Sequence, residues 1–138
     1  MDKDTVEERG TAPLLKVLHA LGGWPVLEKG QWVQDGFKWY DMVYRFRQMG
    51  YSADYLVDLS VATDIKNSSW RALSLDQPRL GLPREYLMKG LEDDDVQAYL
   101  TYMKELAMLL GADQKEAEIQ MLETLEFELK LANISLPR

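Results

Sequence analysis

Apolar residues recur at helical spacing in four stretches of this chain and alternate with polar ones in a fifth. The first helical stretch runs from Asp4 to about Gly22, with a break predicted near Gly10. Leu14, Leu15, Leu18 and Leu21 form one stripe of it. Thr11 is placed to cap the second piece, with Pro13 in its first turn, where a missing N–H costs nothing. Gly22 and Gly23 end the helix, because glycine accepts the left-handed backbone angles of a helix stop. Trp24-Pro25-Val26 then turns the chain and plants an indole, read as a core anchor in preference to a carbohydrate or ligand platform. Asp35 is the expected cap of a helix from about Gly36 to Met49, with Trp39, Met42, Val43 and Phe46 on one face and Gly50 as its stop. Val96 to Leu110 is the clearest helix, lined by Val96, Tyr99, Leu100, Met103, Leu106, Ala107 and Leu110. Asp113 caps the last, which runs to about Asn133 with Ile119, Leu122, Leu125, Leu129 and Ala132 inward.

The alternating stretch is Tyr55 to Ala62, where Tyr55, Val57, Leu59 and Val61 share a face. Trp70 to Leu75 returns as its partner strand, with Thr63 to Ser69 as the hairpin tip. The pattern therefore predicts a mainly α segment with one β-hairpin. Its 138 residues fit a single domain. No apolar run approaches the ~20 residues of a membrane span, so no membrane contact by this segment is expected.

Charge narrows the chemistry. The net charge is −7, and residues 1–50 are balanced, with seven acids and seven bases, so the whole excess follows Tyr51. A nucleic-acid partner is excluded on this ground, because phosphates demand a basic face. Arg45 and Arg47 interleave with the crowded aromatics Trp32, Phe37, Trp39, Tyr40, Tyr44 and Phe46, but too few bases accompany them for such a platform, and packing is expected. Asp93, Asp94 and Asp95 lack the spacing of a calcium loop and suit the positive end of the helix that follows. His19 is the one histidine and there is no cysteine, so a zinc ligand at His19 would have no companion. His19 is read as a boundary or surface residue beside the apolar stripe.

Asp76 to Tyr86 spell DQPRLGLPREY. Pro78, Gly81 and Pro83 stop regular structure there, while Leu80 and Leu82 pin the segment to something apolar. The run Asp76, Gln77, Pro78, then Leu80, Gly81, Leu82, Pro83 resembles the loop signature of the neprilysin-like zinc metallopeptidases, in which a strand ends in DQP-x-LGLP and a helix start follows. Further matches to that family occur in order: Glu8-Arg9-Gly10 with Pro13-Leu14-Leu15, Gly22-Gly23-Trp24-Pro25-Val26, Asp64-Ile65-Lys66-Asn67-Ser68-Ser69, Leu109-Leu110-Gly111-Ala112 after Tyr99-Leu100, and Phe127-Glu128 with Leu131-Ala132. One departure is that Pro83-Arg84-Glu85-Tyr86-Leu87 is one residue shorter than the family pattern and keeps a single Tyr.

The resemblance implies a helical, non-catalytic part of the N-terminal peptidase domain, within a larger, mostly helical ectodomain that is secreted or anchored as a type II membrane protein. The parent enzyme would use zinc to cleave small peptides on the amino side of hydrophobic residues. The H-E-x-x-H helix and the N-A-x-[FY] substrate strand of the family are absent from these 138 residues, so zinc belongs to the parent and is not expected to be bound by this chain. The implied partners are the catalytic domain of the same polypeptide and, in the intact enzyme, small peptides. By the same resemblance Met1 is an internal residue, and family members continue past Arg138. Asn67-Ser68-Ser69 and Asn133-Ile134-Ser135 fit the N-glycosylation pattern, with Asn67 the better candidate at a hairpin tip and Asn133 alternatively a helix C-cap. The other reading is a stand-alone, non-enzymatic helical interaction module derived from the family, binding a partner through its acidic final helices.

Overall fold

The computed structural model describes residues 3–137. Among them the order is α1 (Lys3–Arg9), α2 (Ala12–Ala20), a 3-10 turn (Pro25–Leu27), α3 (Trp39–Gln48), β1 (Asp58–Thr63), β2 (Arg71–Asp76), α4 (Arg84–Leu87), α5 (Asp94–Leu109) and α6 (Gln114–Ile134). The chain is mainly α with one hairpin, as its periodicities predict.

The core lies between α4, α5 and α6, closed from one side by the Pro25–Leu27 turn. Val26, Leu87, Val96, Leu100, Ala107, Ala117, Met121, Leu125 and Ala132 form it. Both long helices begin on the aspartates expected of them. The Asp93 carboxylate accepts the Asp95 N–H at 3.1 Å, and that of Asp113 accepts from Lys115 at 3.0 Å and Glu116 at 3.3 Å. Each satisfies amides that the first helical turn leaves open. Gly111, at φ 106°, provides the stop after α5. The inward stripe of α6 differs from the one expected. Ala117, Met121, Leu125 and Ala132 are buried and Leu129 is half-buried, whereas Ile119 and Leu122 are exposed. Leu125 and Ala132 are inward as expected, but Ala117 and Met121 take the core side in place of Ile119 and Leu122.

The N-terminal half departs further. Gly10, at φ 52°, divides α1 from α2 as predicted. Thr11 stands at the N-cap position but makes no capping bond, because its own backbone is helical, at φ −83° and ψ −8°. A capping side chain needs an extended residue there to reach back over the open amides. Asp35 does not cap α3, which starts at Trp39 behind Lys38. Gly36 sits at φ 82°, in a turn closed by the Phe37 N–H on the Gln34 carbonyl, and the Trp32 and Phe37 rings meet across it at 5.3 Å. A helix cannot run through that left-handed residue. Met42, Val43 and Phe46 are half-buried, while Trp39 and the other α3 aromatics on its flanks are exposed, so no α3 side chain is fully buried.

The hairpin pairs Leu59 with Leu75 and Val61 with Leu73 in antiparallel register. It starts later than the alternation suggests. Tyr55 lies in a turn before β1, because Asp54 is held by the Arg47 guanidinium at 3.1 Å and by the Ser52 hydroxyl at 3.0 Å. Trp70 belongs to the tip, bonded to Asn67 and Asp64 through its backbone. The hairpin's chief contacts are between its own strands. The whole chain exposes 10647 Å², against roughly 7,400 Å² for a compact monomer of this mass.

Candidate functional site

After Asp76 the chain runs without regular structure to Pro83 and then enters α4. Two prolines remove donors from this stretch, so side chains from elsewhere supply much of its anchoring. At its start the Gln77 side-chain amide donates to the Leu136 carbonyl and accepts the Leu136 N–H, both at 2.8 Å. At its end the Arg84 Nε donates to the Ala132 carbonyl at 3.0 Å and the Ser135 carbonyl at 2.9 Å. A cation on the last carbonyls of α6 is favoured by the helix dipole. Between these anchors Leu80 and Leu82 pack on the core. The Pro83 carbonyl accepts the N–H groups of Tyr86 and Leu87 and so opens α4.

The middle of the loop is fixed by a carboxylate. Glu128 of α6 accepts the Gly81 N–H on Oε1 and the Tyr99 hydroxyl on Oε2, the latter at 3.0 Å. A Cβ at residue 81 would stand 2.0 Å from the Tyr99 oxygen, so only glycine lets the backbone come this close. Burial, then the neighbouring Glu128 charge, pushes the Tyr99 phenol well above its ordinary value. A second, exposed junction joins α4 to α5. Lys89 bridges Asp93 at 3.5 Å and Asp95 at 3.0 Å and lies over the Tyr86 ring, and the Asp95 bond raises its pKa.

Trp24 is half-buried on the same core as Leu80 and Leu82. Gly22 and Gly23 take φ values of 117° and 81°, and a Cβ on Gly23 would meet Glu28 at 2.6 Å. Both glycine-rich motifs singled out in the sequence thus converge on one core. Asn67 and Asn133 lie away from it. Asn67 is exposed at the hairpin tip, its Oδ1 accepting the Ser69 N–H at 3.1 Å. Asn133 is exposed inside the last turn of α6, and Ser135 holds the C-cap position in its place. Asn133 carries helical backbone angles and is followed by another helical residue, so it cannot terminate the helix.

Beside the loop and the end of α6 is an open cleft of about 700 Å³, bordered by Gln77, Arg79, Arg84, Glu85 and Leu136. The one hydroxyl lining it, that of Ser135, donates to the Leu131 carbonyl at 2.7 Å. His19 is exposed in the last turn of α2. Among the described residues no group of three or more His, Cys, Asp or Glu side chains is placed to hold a metal ion. One histidine and no cysteine is a donor set that does not fit a zinc centre.

A model of peptidase family M13 matches residues 1–138. The chain belongs to that family. It is 43% identical over 138 residues to neprilysin-2 of Drosophila melanogaster, which covers 99% of this chain. It is 36% identical over 141 residues to human endothelin-converting enzyme 1, covering 100% of this chain, and 33% identical to neprilysin-21 of Caenorhabditis elegans, covering 98%. In each case it spans 18% of the relative's own length. The matched region holds the loop from Gln77 to Pro83 and its anchors in one packed unit. Tyr99, Glu128 and Arg84 were visible in sequence only as motif letters. Their role follows from the loop's bare amides and the α6 carbonyls, which lie far away along the chain.

Proposed function

We propose that this chain is a non-catalytic helical part of a zinc-dependent M13 metalloendopeptidase, folded as one segment of its N-terminal domain. It helps enclose the cavity in which small peptides are cleaved. The observation that carries the reading is the pairing of a family match along the whole chain with a donor set that does not fit zinc. The chain's contribution is therefore shape: a rigid α4–α6 block, with the loop from Gln77 to Pro83 locked onto it, forming wall and excluding large substrates and bulk water. The zinc-bearing domain is the partner in the same polypeptide. The location is extracellular, in a secreted or membrane-anchored ectodomain, and Asn67, exposed at the hairpin tip, is the favoured glycan acceptor.

The test compares the 138-residue chain with the full product of its gene. Zinc content and hydrolysis of a short fluorogenic peptide are measured with and without a chelator. The expected result is chelator-sensitive turnover by the full product and neither turnover nor stoichiometric zinc in the chain alone. Stoichiometric zinc with chelator-sensitive turnover in the purified chain would overturn the reading. A transcript that stops at Arg138 would favour the stand-alone interaction module.

A further inference from the structure

The hairpin presents its apolar face outward. Leu59 opposite Leu75 and Val61 opposite Leu73 lie on one side, and these four side chains are 42–76% exposed. The other side carries Ser60 opposite Ser74, Ala62 opposite Ala72, and Asp58 opposite Asp76. Alternation of this kind places the apolar side against a neighbour and the polar side in water. A two-stranded hairpin is marginal alone in water. Here its base is tied to α3, where Arg47 donates to the Leu59 carbonyl at 3.2 Å and the Phe46 and Tyr55 rings meet at 6.0 Å. That tether holds the hairpin in place but covers none of the four side chains to burial.

We infer that the Leu59, Val61, Leu73 and Leu75 face is a docking surface for an apolar face of the same M13 polypeptide, lying outside these 138 residues. The inference rests on the reading of the chain as part of a longer peptidase. The length of the relatives favours this occupant over a second copy, and the exposed area agrees with a cover larger than one standard contact. The chain exposes 10647 Å², roughly 3,000 Å² more than a compact monomer of its mass, whereas a standard protein–protein contact hides about 800 Å² on each partner. The relatives are long enough to supply a larger cover, since the matched region is 18% of each. A partner on the same chain also binds at high effective concentration. Charge describes its surface. The apolar face ends at Arg71, which is exposed and bonded at 2.7 Å to the Thr63 hydroxyl across the strands. The covering surface is apolar over the leucines and offers a carboxylate or carbonyl at the Arg71 end.

Hydroxyl-radical footprinting of the full gene product and of the 138-residue chain, with sedimentation of both, tests this. Oxidation of Leu73 and Leu75 is expected to be at least roughly fivefold slower in the full product, in keeping with burial of that face. A Leu73→Lys substitution should lower the yield of active full product while leaving the helix content of the short chain unchanged. Equal oxidation in an active full product overturns the inference and leaves the enclosure reading standing. Protection already present in a dimer of the short chain assigns the face to a second copy and also overturns it. A gene product that ends at Arg138 defeats the enclosure reading itself.

Discussion

The block formed by α4, α5 and α6 and the region formed by α3 and the hairpin are both rich in apolar side chains, yet only the first hides them. Leu87, Val96, Leu100, Ala107, Ala117, Met121, Leu125 and Ala132 are buried in the block. No residue of α3, β1 or β2 is buried. The difference is one of partners. The stripe of α5 meets that of α6 after a four-residue connection, so the chain supplies its own complement. The outer face of the hairpin and the exposed α3 aromatics Trp39, Tyr40 and Tyr44 find no such complement. An apolar stripe specifies that burial is required; the topology of the rest of the polypeptide decides whether it is met.

This contrast can be broken by substitution. The largest effect is expected at Leu125, which is fully buried. Leu125→Ala should cost about 2–5 kcal/mol by chemical denaturation, whereas Leu73→Ala in the same chain should change stability by less than about 0.5 kcal/mol. Comparable losses at the two sites would erase the distinction. Gly81→Ala comes next, at about 1–3 kcal/mol, because Tyr99 or the loop must move. Its cost should shrink in a Tyr99→Phe background, where the hydroxyl that meets the new methyl is gone; a double-mutant cycle reads the coupling.

The caps sharpen the comparison at a smaller scale. Asp113→Ala should cost about 1 kcal/mol, since it frees two amides, while Thr11→Ala, which breaks no capping bond, should fall within about 0.5 kcal/mol of the parent. The last effect is pH dependence. The Tyr99 phenol is raised in the folded state by burial and by Glu128, so folding favours its protonated form. Its contribution is fully present below about pH 10, where an unfolded tyrosine begins to ionise, and is lost as pH rises from there toward the folded value. Melts between neutral and alkaline pH should show a shallower alkaline decline in Tyr99→Phe than in the parent.

What could be read from the residues alone follows the same division. The α5 and α6 helices were legible because Asp93, Asp113 and Gly111 act on their immediate neighbours. The hairpin itself was legible from the alternation through Leu59 and Val61 and the returning run to Leu75, but its register was not, because Thr63, expected in the tip, pairs with Arg71. The start of α3 was not, because the left-handed turn at Gly36 overrides a good capping residue at Asp35. The stripe of α6 was misread at Ile119 and Leu122, because the small side chain of Ala117 gives a weak hydrophobic signal for the face it shares with Met121. In the candidate site the loop itself was legible, from its prolines and Gly81. Its anchors were not, because Glu128 is 47 residues from Gly81 and Leu136 is 59 from Gln77. Such distances are set by folding and leave no periodicity to detect.

Residue-resolved hydrogen exchange on the 138-residue chain tests the division most directly. The account predicts that amides inside α5 and α6 exchange only through global unfolding, while those of α3, β1 and β2 exchange through local opening at far lower free energy. Uniform protection across both regions would contradict it, since the hairpin and α3 would then be stabilised without the cover that the rest of the M13 polypeptide is held to provide.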